Sequence, residues 1–277
     1  MSSHVTLFVR YAVSYYSWFK MLFIYHSVRI NMENSKTIRC KGKTFDIYLK
    51  DHPNFDKKLI TLAISGMGKE SIAGISDIEG LSELSSLQHL RIYKGKIKEI
   101  QGLERLTNLL ILDLFDNHIE EIKGLSKLTA LQELRLGANR ISEIRGLENL
   151  VNLKVLDLSY NQITVIRGMG SLTKLEKLVL NGNKIRMIHG LENLTDLWVL
   201  NLENNEIREI EGLGSLSKLY ILKLNGNPMP KALLDELGGL SEEKTVRIDE
   251  WTTEREGVEG YANHPERFVE YCRKSQV

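Results

Sequence analysis

Cysteine is scarce in this chain, and the charges of opposite sign almost cancel. Only two cysteines, Cys40 and Cys272, occur among the 277 residues, far apart and outside any metal-ligand spacing. They offer no disulfide framework, so the sequence predicts a reducing, cytoplasmic setting. Lys and Arg number 37 against 36 Asp and Glu, whereas a general nucleic-acid binder usually carries a clear basic excess. Nucleic acid is therefore not the expected partner.

Sequence patterns for catalysis and cofactor binding are also missing. The glycine-rich segment 65–71 follows a predicted strand, but a phosphate-binding loop would need Gly at Ala63 and Ser or Thr at Glu70. His264 and Cys272 share the C-terminal segment without a third, orienting group. We therefore expect no enzyme activity, no catalytic residue, no metal site, no cofactor and no small-molecule substrate.

A 22-residue repeat fills the centre of the chain. Each repeat contains Leu-x-x-Leu-x-Leu-x-x-Asn, as at 131–139, followed by Ile-x-x-Ile-x-Gly-Leu. The Leu-x-Leu spacing is that of a strand with both leucines on one face, and stacked repeats bury those faces in a continuous core. One asparagine recurs in each repeat, and its amide is expected to bond the backbone of the turn. These structural asparagines are Asn117, Asn139, Asn161, Asn183, Asn205 and Asn227.

This pattern resembles the leucine-rich-repeat family, most closely the 22-residue class that includes the repeat-built regulatory subunit of protein phosphatase 1. The resemblance covers about 75–227 and implies an α/β solenoid with a curved parallel sheet on the concave side. Short 3-10 or α turns are implied on the convex side, with caps at both ends. It also implies a protein partner, with a phosphatase or a small GTPase as the forms suggested by the family. Two features depart from the pattern: Gly95 replaces the asparagine of the first repeat, and 228–231 does not match the cap of several eukaryotic relatives.

The sequence divides the chain into four parts. They are an aromatic-rich, basic N-terminal extension (1–31), an N-terminal cap (32–74), the leucine-rich repeats (75–227) and a C-terminal cap with short helices (228–277). A strand is predicted at 59–64, ahead of the regular repeats. Helices are predicted at 230–237 and 265–274.

The first 31 residues differ in kind from the rest. They hold eight of the twenty aromatic residues and no acidic residue. Two interpretations stay open: translation begins at Met32, or the segment tethers the protein to a membrane. Arg10, Lys20 and His26 interrupt the apolar run, so no clean stretch of about 18 residues remains for a membrane span. No small-x-small cleavage site of a signal peptide follows.

The residues between the repeat leucines predict a partner-binding surface on the concave side. Interfaces favour aromatic and arginine anchors, and the core does not need them there. The predicted partner-binding residues are Arg91, Tyr93, Asp113, Phe115, Arg135, Asp157 and Tyr160. The alternating Arg and Asp also fit an internal ladder of ion pairs across neighbouring strands. The predicted function is a scaffold or regulatory subunit, and the alternatives are a component of an RNA–protein particle and a membrane-tethered adaptor that uses 1–31.

Overall fold

A computed structural model describes residues 38–40, 43–45, 48–52, 55–65, 72–238 and 264–275 of the chain. The N-terminal extension predicted at 1–31 and most of the glycine-rich segment at 65–71 lie outside the described residues. Twelve strands are formed by the described residues. They are β1 (Ile38–Cys40), β2 (Lys43–Phe45), β3 (Tyr48–His52), β4 (Phe55–Ser65), β5 (Ile78–Glu79), β6 (His89–Tyr93), β7 (Ile111–Asp113), β8 (Glu133–Arg135), β9 (Val155–Asp157), β10 (Lys177–Val179), β11 (Val199–Asn201) and β12 (Ile221–Lys223).

Nine of these strands form one sheet, in the order β12 to β6 and then β4 and β3. All neighbours in it pair in parallel except β3 and β4, which are antiparallel. Leu112 pairs with Leu90 on one side and with Leu134 on the other, so the register advances by one repeat per strand. This is the predicted leucine-rich-repeat solenoid. We call each repeat, counted from its strand, a coil, so that β6 to β12 begin coils 1 to 7.

The strand predicted at 59–64 is also present, as the C-terminal part of β4. Thr61 to Ser65 of β4 pair with His89 to Tyr93 of β6, which adds one strand ahead of coil 1. A second, three-stranded sheet is formed by β1, β2 and β5, with antiparallel pairing.

The repeat leucines and isoleucines form one continuous core and are almost all inaccessible to solvent. On the side away from the sheet, leucines spaced by three residues are joined by backbone hydrogen bonds, as from Leu128 N to Leu125 O and from Leu131 N to Leu128 O. Among the described residues before coil 1 are two short 3-10 helices, Ile75–Asp77 and Leu81–Glu83. In the later coils, leucines spaced by three residues form single hydrogen-bonded turns.

The repeat asparagines join each coil to the one before it. Asn139 Nδ2 donates to Leu136 O of its own coil and to Leu114 O of the preceding coil, both at 3.0 Å. Its Oδ1 accepts from Ile119 N at 2.9 Å. Gly95 replaces this asparagine in coil 1, where a Cβ would lie 2.5 Å from Asn117 Oδ1. The glycine at position 95 of coil 1 therefore leaves room for the Asn117 amide of coil 2.

Two helices follow the last strand. They are α1 (Lys231–Glu236) and α2 (Pro265–Ser275), close to the predicted bounds. Phe268, Val269 and Cys272 of α2 are buried in the core, and Arg273 Nε donates to Gly214 O at 2.9 Å. Burial raises the pKa of the Cys272 thiol, against a backbone hydrogen bond from Leu213 that lowers it.

Candidate partner-binding surface

The concave surface of the sheet buries polar side chains on its first three coils. The side chains of its strands alternate between the core and this surface, because successive residues of a strand point to opposite faces. His89, Asp113 and Glu133, on the first three coils, are at most 5% exposed although they do not point into the core. At the positions equivalent to Glu133, Val155 and Lys177 of coils 4 and 5 are only half-buried. Polar side chains must therefore cover one another on coils 1 to 3.

Four charged side chains on β6, β7 and β8 form that cover. Asp113 Oδ2 lies 3.0 Å from Arg91 Nε and 3.8 Å from an Arg135 guanidinium nitrogen, and Arg135 also pairs with Glu133. The side chains of Asp113, Glu133 and Arg135 are 4%, 2% and 11% exposed, whereas that of Arg91 is 29% exposed. The two positive and two negative groups neutralise each other. Only Arg91 offers substantial surface to a partner.

The aspartates of this surface also fix the backbone at the end of their strands. Asp113 Oδ1 accepts from Phe115 N at 3.1 Å, and Asp157 Oδ1 accepts from Ser159 N at 2.9 Å. Asn201 makes the same bond to Glu203 N at 3.0 Å. Short polar side chains commonly hold a turn by bonding the amide two residues on. Asp113 and Asp157 therefore shape the surface whether or not a partner touches them.

Tyr93 lies beneath Arg91. The Arg91 guanidinium carbon is 4.7 Å from the centre of the Tyr93 ring, a distance typical of a cation–π contact. Tyr93 is only 9% exposed. Its ring thus supports Arg91 and offers little surface of its own.

Phe115 lies across a glycine of the next coil. A Cβ on Gly137 would lie 3.0 Å from Phe115 Cδ2 and 2.8 Å from Ser159 Oγ. The φ of Gly137 is not positive, so its backbone conformation does not require glycine. The absence of a side chain at Gly137 therefore makes room for the half-buried Phe115 ring.

Tyr160 follows the same principle in the turn after β9. Its backbone is left-handed, with φ of 52°, and its side chain is 49% exposed. A Cβ on Gly182, the equivalent residue of coil 5, would lie 2.6 Å from Tyr160 Cδ1. Lys94, Ala138 and Asn204 are left-handed at the same position of their coils, and so is Gly182, so this backbone belongs to the repeat. Tyr160 is an exposed aromatic whose ring lies against the next coil.

The structure places the seven predicted residues on β6 to β9 and the turns that follow, along one stretch of the concave side. Asp113, Arg135 and Tyr93 are largely covered, and Asp157 is half-buried. Arg91, Phe115 and Tyr160 present the accessible surface. The ion-pair ladder that the sequence allowed as an alternative is present from Arg91 to Arg135. It coexists with the exposed Tyr160 and the half-buried Phe115.

Two further aromatics immediately precede the last two strands and were not predicted. Trp198 is half-buried and Tyr220 is 47% exposed, and they are neighbours, since Tyr220 N donates to Trp198 O at 2.9 Å. Each directly follows the first leucine of its motif, one residue before Val199 or Ile221 of the concave surface.

Glu203 is the acid with a raised pKa on this side. Burial raises the pKa of its carboxyl, opposed by Lys223, at 3.8 Å, and by a hydrogen bond with Asn201. The Glu203 and Lys223 side chains are 19% and 14% exposed.

Within the described residues no three His, Cys, Asp or Glu side chains form a group fit to hold a metal ion. No helix in that part of the chain has the length and apolar character to cross a membrane.

Comparisons with known proteins agree with this architecture. The family model "Leucine rich repeat" matches residues 129–185, and "Leucine Rich repeats (2 copies)" matches 107–149. No curated protein matches the chain. An internalin (inlF) of Listeria monocytogenes is 31% identical with a TM-score of 0.56, and the match covers 64% of this chain. This chain spans 52% of that protein, about half its length. An internalin C2 of the same species is 30% identical with a TM-score of 0.55, over 62% of this chain and 73% of its own.

Proposed function

The chain belongs to the leucine-rich-repeat proteins, whose fold is typical of protein-interaction domains, and we propose that its concave side binds a partner protein. In this proposal the protein acts without catalysis, as a scaffold or regulatory subunit. Arg91, Phe115 and Tyr160 make the contacts. The covered residues Tyr93, Asp113, Arg135 and Asp157 hold these three in place.

The observation that carries the proposal is that two aromatic rings each lie over a glycine of the next coil. The fold does not require Phe115 or Tyr160. Positions equivalent to Phe115 hold one other aromatic, Tyr93 of coil 1, and positions equivalent to Tyr160 hold none. The left-handed backbone of Tyr160 is common to this position of the repeat, as at Lys94 and Ala138, so its exposed ring is what sets it apart. Accessible aromatic residues are the usual anchors of protein interfaces. Tyr160 therefore fits a binding role better than a packing role.

The ion-pair network supports a protein partner over a nucleic acid. Phosphate binding requires clustered cations that are free to neutralise the backbone. Arg91, Arg135 and Lys223 instead lie beside Asp113, Glu133 and Glu203. Within the described concave side, positive charge is thus already balanced by the protein itself.

The identity of the partner is a hypothesis taken from the resemblance to the 22-residue class. A protein phosphatase is one form, by analogy with the repeat-built phosphatase subunit, and a small GTPase is the other. The cytoplasmic setting belongs to this hypothesis. It is supported by the low cysteine content and by the buried thiol of Cys272, whereas the similarity to internalins gives no partner for this chain.

Affinity purification from native lysate tests the proposal, with the full chain as bait and mass spectrometry as the readout. Phe115→Ala and Tyr160→Ala are compared with wild type. Val151→Ala is the matched control, because Val151 is 45% exposed outside this surface. Loss of an interface anchor costs about 2 kcal/mol or more, so each aromatic variant is expected to weaken the partner by about thirtyfold. A partner that both aromatic variants retain at wild-type level would refute the concave site.

A further inference from the structure

We infer that the protein forms a weak two-fold dimer through one edge of the solenoid, the edge at which the parallel strands begin. This strand-start edge is defined here by two columns of residues. The inner column, directly before β6 to β12, is Gln88, Leu110, Gln132, Lys154, Glu176, Trp198 and Tyr220. The outer column, two residues earlier in each repeat, is Ser86, Asn108, Ala130, Asn152, Lys174, Asp196 and Lys218.

Contacts between successive repeats show that each column is a row of neighbours. In the inner column, Lys154 Nζ lies 2.9 Å from Glu176 Oε1. In the outer column, Lys174 Nζ donates to Asn152 Oδ1 at 2.8 Å. The edge is therefore a continuous surface that runs along the solenoid.

The two ends of this edge differ in shape. Before the first strands, Ile60, Leu110 and Ala130 line a shallow depression of about 450 Å³ together with polar side chains. Before the last strands, Trp198 is half-buried and Tyr220 is 47% exposed. The depression and the aromatics lie about five strand spacings apart, on the order of 24 Å, so they do not meet within one chain. They do meet between two copies that run in opposite directions.

A two-fold axis between β9 and β10 brings these ends together. An axis that runs from the concave to the convex side lays β9 over β10, β8 over β11 and β7 over β12 of the other copy. This rotation does not exchange the concave and convex sides, so each column faces the same column. Tyr220 of one copy then faces Leu110 of the other, at the depression. The contact occurs twice, because a two-fold interface uses the same patch on both copies.

The charges of the edge select this position of the axis. Lys154 of one copy faces Glu176 of the other, and Lys174 faces Asn152. The remaining charged residues of the two columns face uncharged residues, so no like charges meet. An axis at β9 would place Lys154 against its own copy, and an axis at β10 would do the same to Glu176. A second copy of this chain is thus the occupant that the edge itself specifies.

The dimer forms without breaking an ion pair of the single chain. Lys154 and Glu176 contact each other within one copy, and the dimer joins two such pairs into a cluster of alternating charges. Exposed ion pairs contribute little, so the aromatic contacts supply most of the affinity. From β7 to β12 the two columns give twelve residues a copy, fewer than the roughly 20–30 of a standard interface. The dimer is accordingly weak and forms as concentration rises.

The two concave surfaces of this dimer open in the same direction, because the axis runs from the concave to the convex side. The dimer presents Phe115 and Tyr160 twice, side by side, which favours a partner that is itself paired. This consequence rests on the proposed function, whereas the dimer does not.

Sedimentation velocity of the full chain at about 1–100 μM tests the inference. The wild type is expected to shift from monomer towards dimer across this range. Tyr220→Ala is expected to dimerise at least about tenfold more weakly. Met187→Ala is the matched control, because Met187 is 53% exposed and lies outside both the edge and the concave surface, and it should dimerise as the wild type does.

Charge reversal tests the contact at the axis. Lys154→Glu and Glu176→Lys each place like charges opposite each other twice, so each variant alone is expected to dimerise at least about tenfold more weakly than the wild type. An equimolar mixture of the two variants restores opposite charges at both contacts and should regain the dimer. A merely misfolded variant would not be rescued in this way, and thermal unfolding checks that each variant folds.

Three results would overturn the inference. They are a monomer throughout the concentration range, equal dimerisation of Tyr220→Ala and Met187→Ala, and a mixture of the charge-reversal variants that dimerises no better than either alone. None of the variants alters Arg91, Phe115 or Tyr160, so failure here leaves the concave proposal standing, and the reverse also holds.

Discussion

Replacement of Asn161 by alanine should destabilise the solenoid more than any single exposed-residue change. Asn161 lies in the middle of the chain of repeat asparagines and is 7% exposed. The two hydrogens of its Nδ2 are shared among Leu136 O at 2.9 Å, Leu158 O at 3.1 Å and Ser159 O at 3.1 Å. Its Oδ1 accepts from Ile141 N at 2.9 Å. The Asn161→Ala variant loses all of these bonds at a buried position.

The loss of unfolding free energy depends on which backbone groups keep another hydrogen-bond partner in the Asn161→Ala variant. Leu136 O still accepts from Asn139, and Leu158 O still accepts from Asn183. The Ile141 amide loses the acceptor that Asn161 supplies. A buried donor left without a partner costs about 1–3 kcal/mol, and each lost bond with a surviving alternative about 0.5–1.5 kcal/mol. The free energy of unfolding should therefore fall by about 2–6 kcal/mol.

Urea unfolding followed by circular dichroism measures this change, with Asn227→Ala as the matched control. Asn227 makes the equivalent bonds to Leu202 O, Leu224 O and Ile207 N but is only half-buried, at the last coil. Water can replace its bonds, so its removal should cost less than half as much. A loss below about 1 kcal/mol for Asn161→Ala, or equal losses for both variants, would refute the role assigned to the buried amides.

Three further predictions concern single side chains. Gly137→Ala should displace the Phe115 ring and weaken the partner as Phe115→Ala does, while urea unfolding shows a loss of about 1–3 kcal/mol from overpacking; unchanged partner capture would contradict the packing argument. Because burial raises the pKa of Glu203, its protonated form is favoured by folding, so its contribution to stability is present at low pH and is lost as pH rises through the folded pKa. The unfolding free energy of Glu203→Gln relative to wild type should therefore increase with pH, and a flat or falling difference would be the wrong sign. Phe268→Ala should cost about 3–5 kcal/mol and, if α2 caps the solenoid as proposed, hydrogen exchange should rise in coils 6 and 7 before coils 1 to 3; a uniform rise would contradict the capping role.

The sequence predicts the solenoid because its information is periodic. Leu-x-Leu fixes the strands, and the 22-residue recurrence fixes their order and register, so that Leu112 lies between Leu90 and Leu134. The extra strand β4 was also predictable, since 59–64 repeats the alternation of the coils. These features depend on the sum of many equivalent residues, and one departure such as Gly95 does not alter them.

The surface was less predictable because it depends on single side chains. The alternation of Arg and Asp indicated ion pairs, but not that Asp113 would contact both Arg91 and Arg135 while also bonding the backbone of its own turn. The left-handed position of Tyr160 carried only a weak signal. Gly182, Asn204 and Gly226 occupy equivalent positions, but so do Lys94, Asp116 and Ala138.

Departures from the repeat are therefore the most informative residues of this fold. Equivalent positions of successive coils share nearly the same backbone, so the backbone alone does not explain why one coil holds a different residue. Val165 stands where Glu99, Glu121 and Glu143 each pair with a cation of the next coil. Gly137 gives room to Phe115, and Gly182 gives room to Tyr160. At Gly182 the left-handed backbone favours glycine by itself, whereas the φ of Gly137 is not positive. Room for the Phe115 ring is therefore the explanation that remains for Gly137.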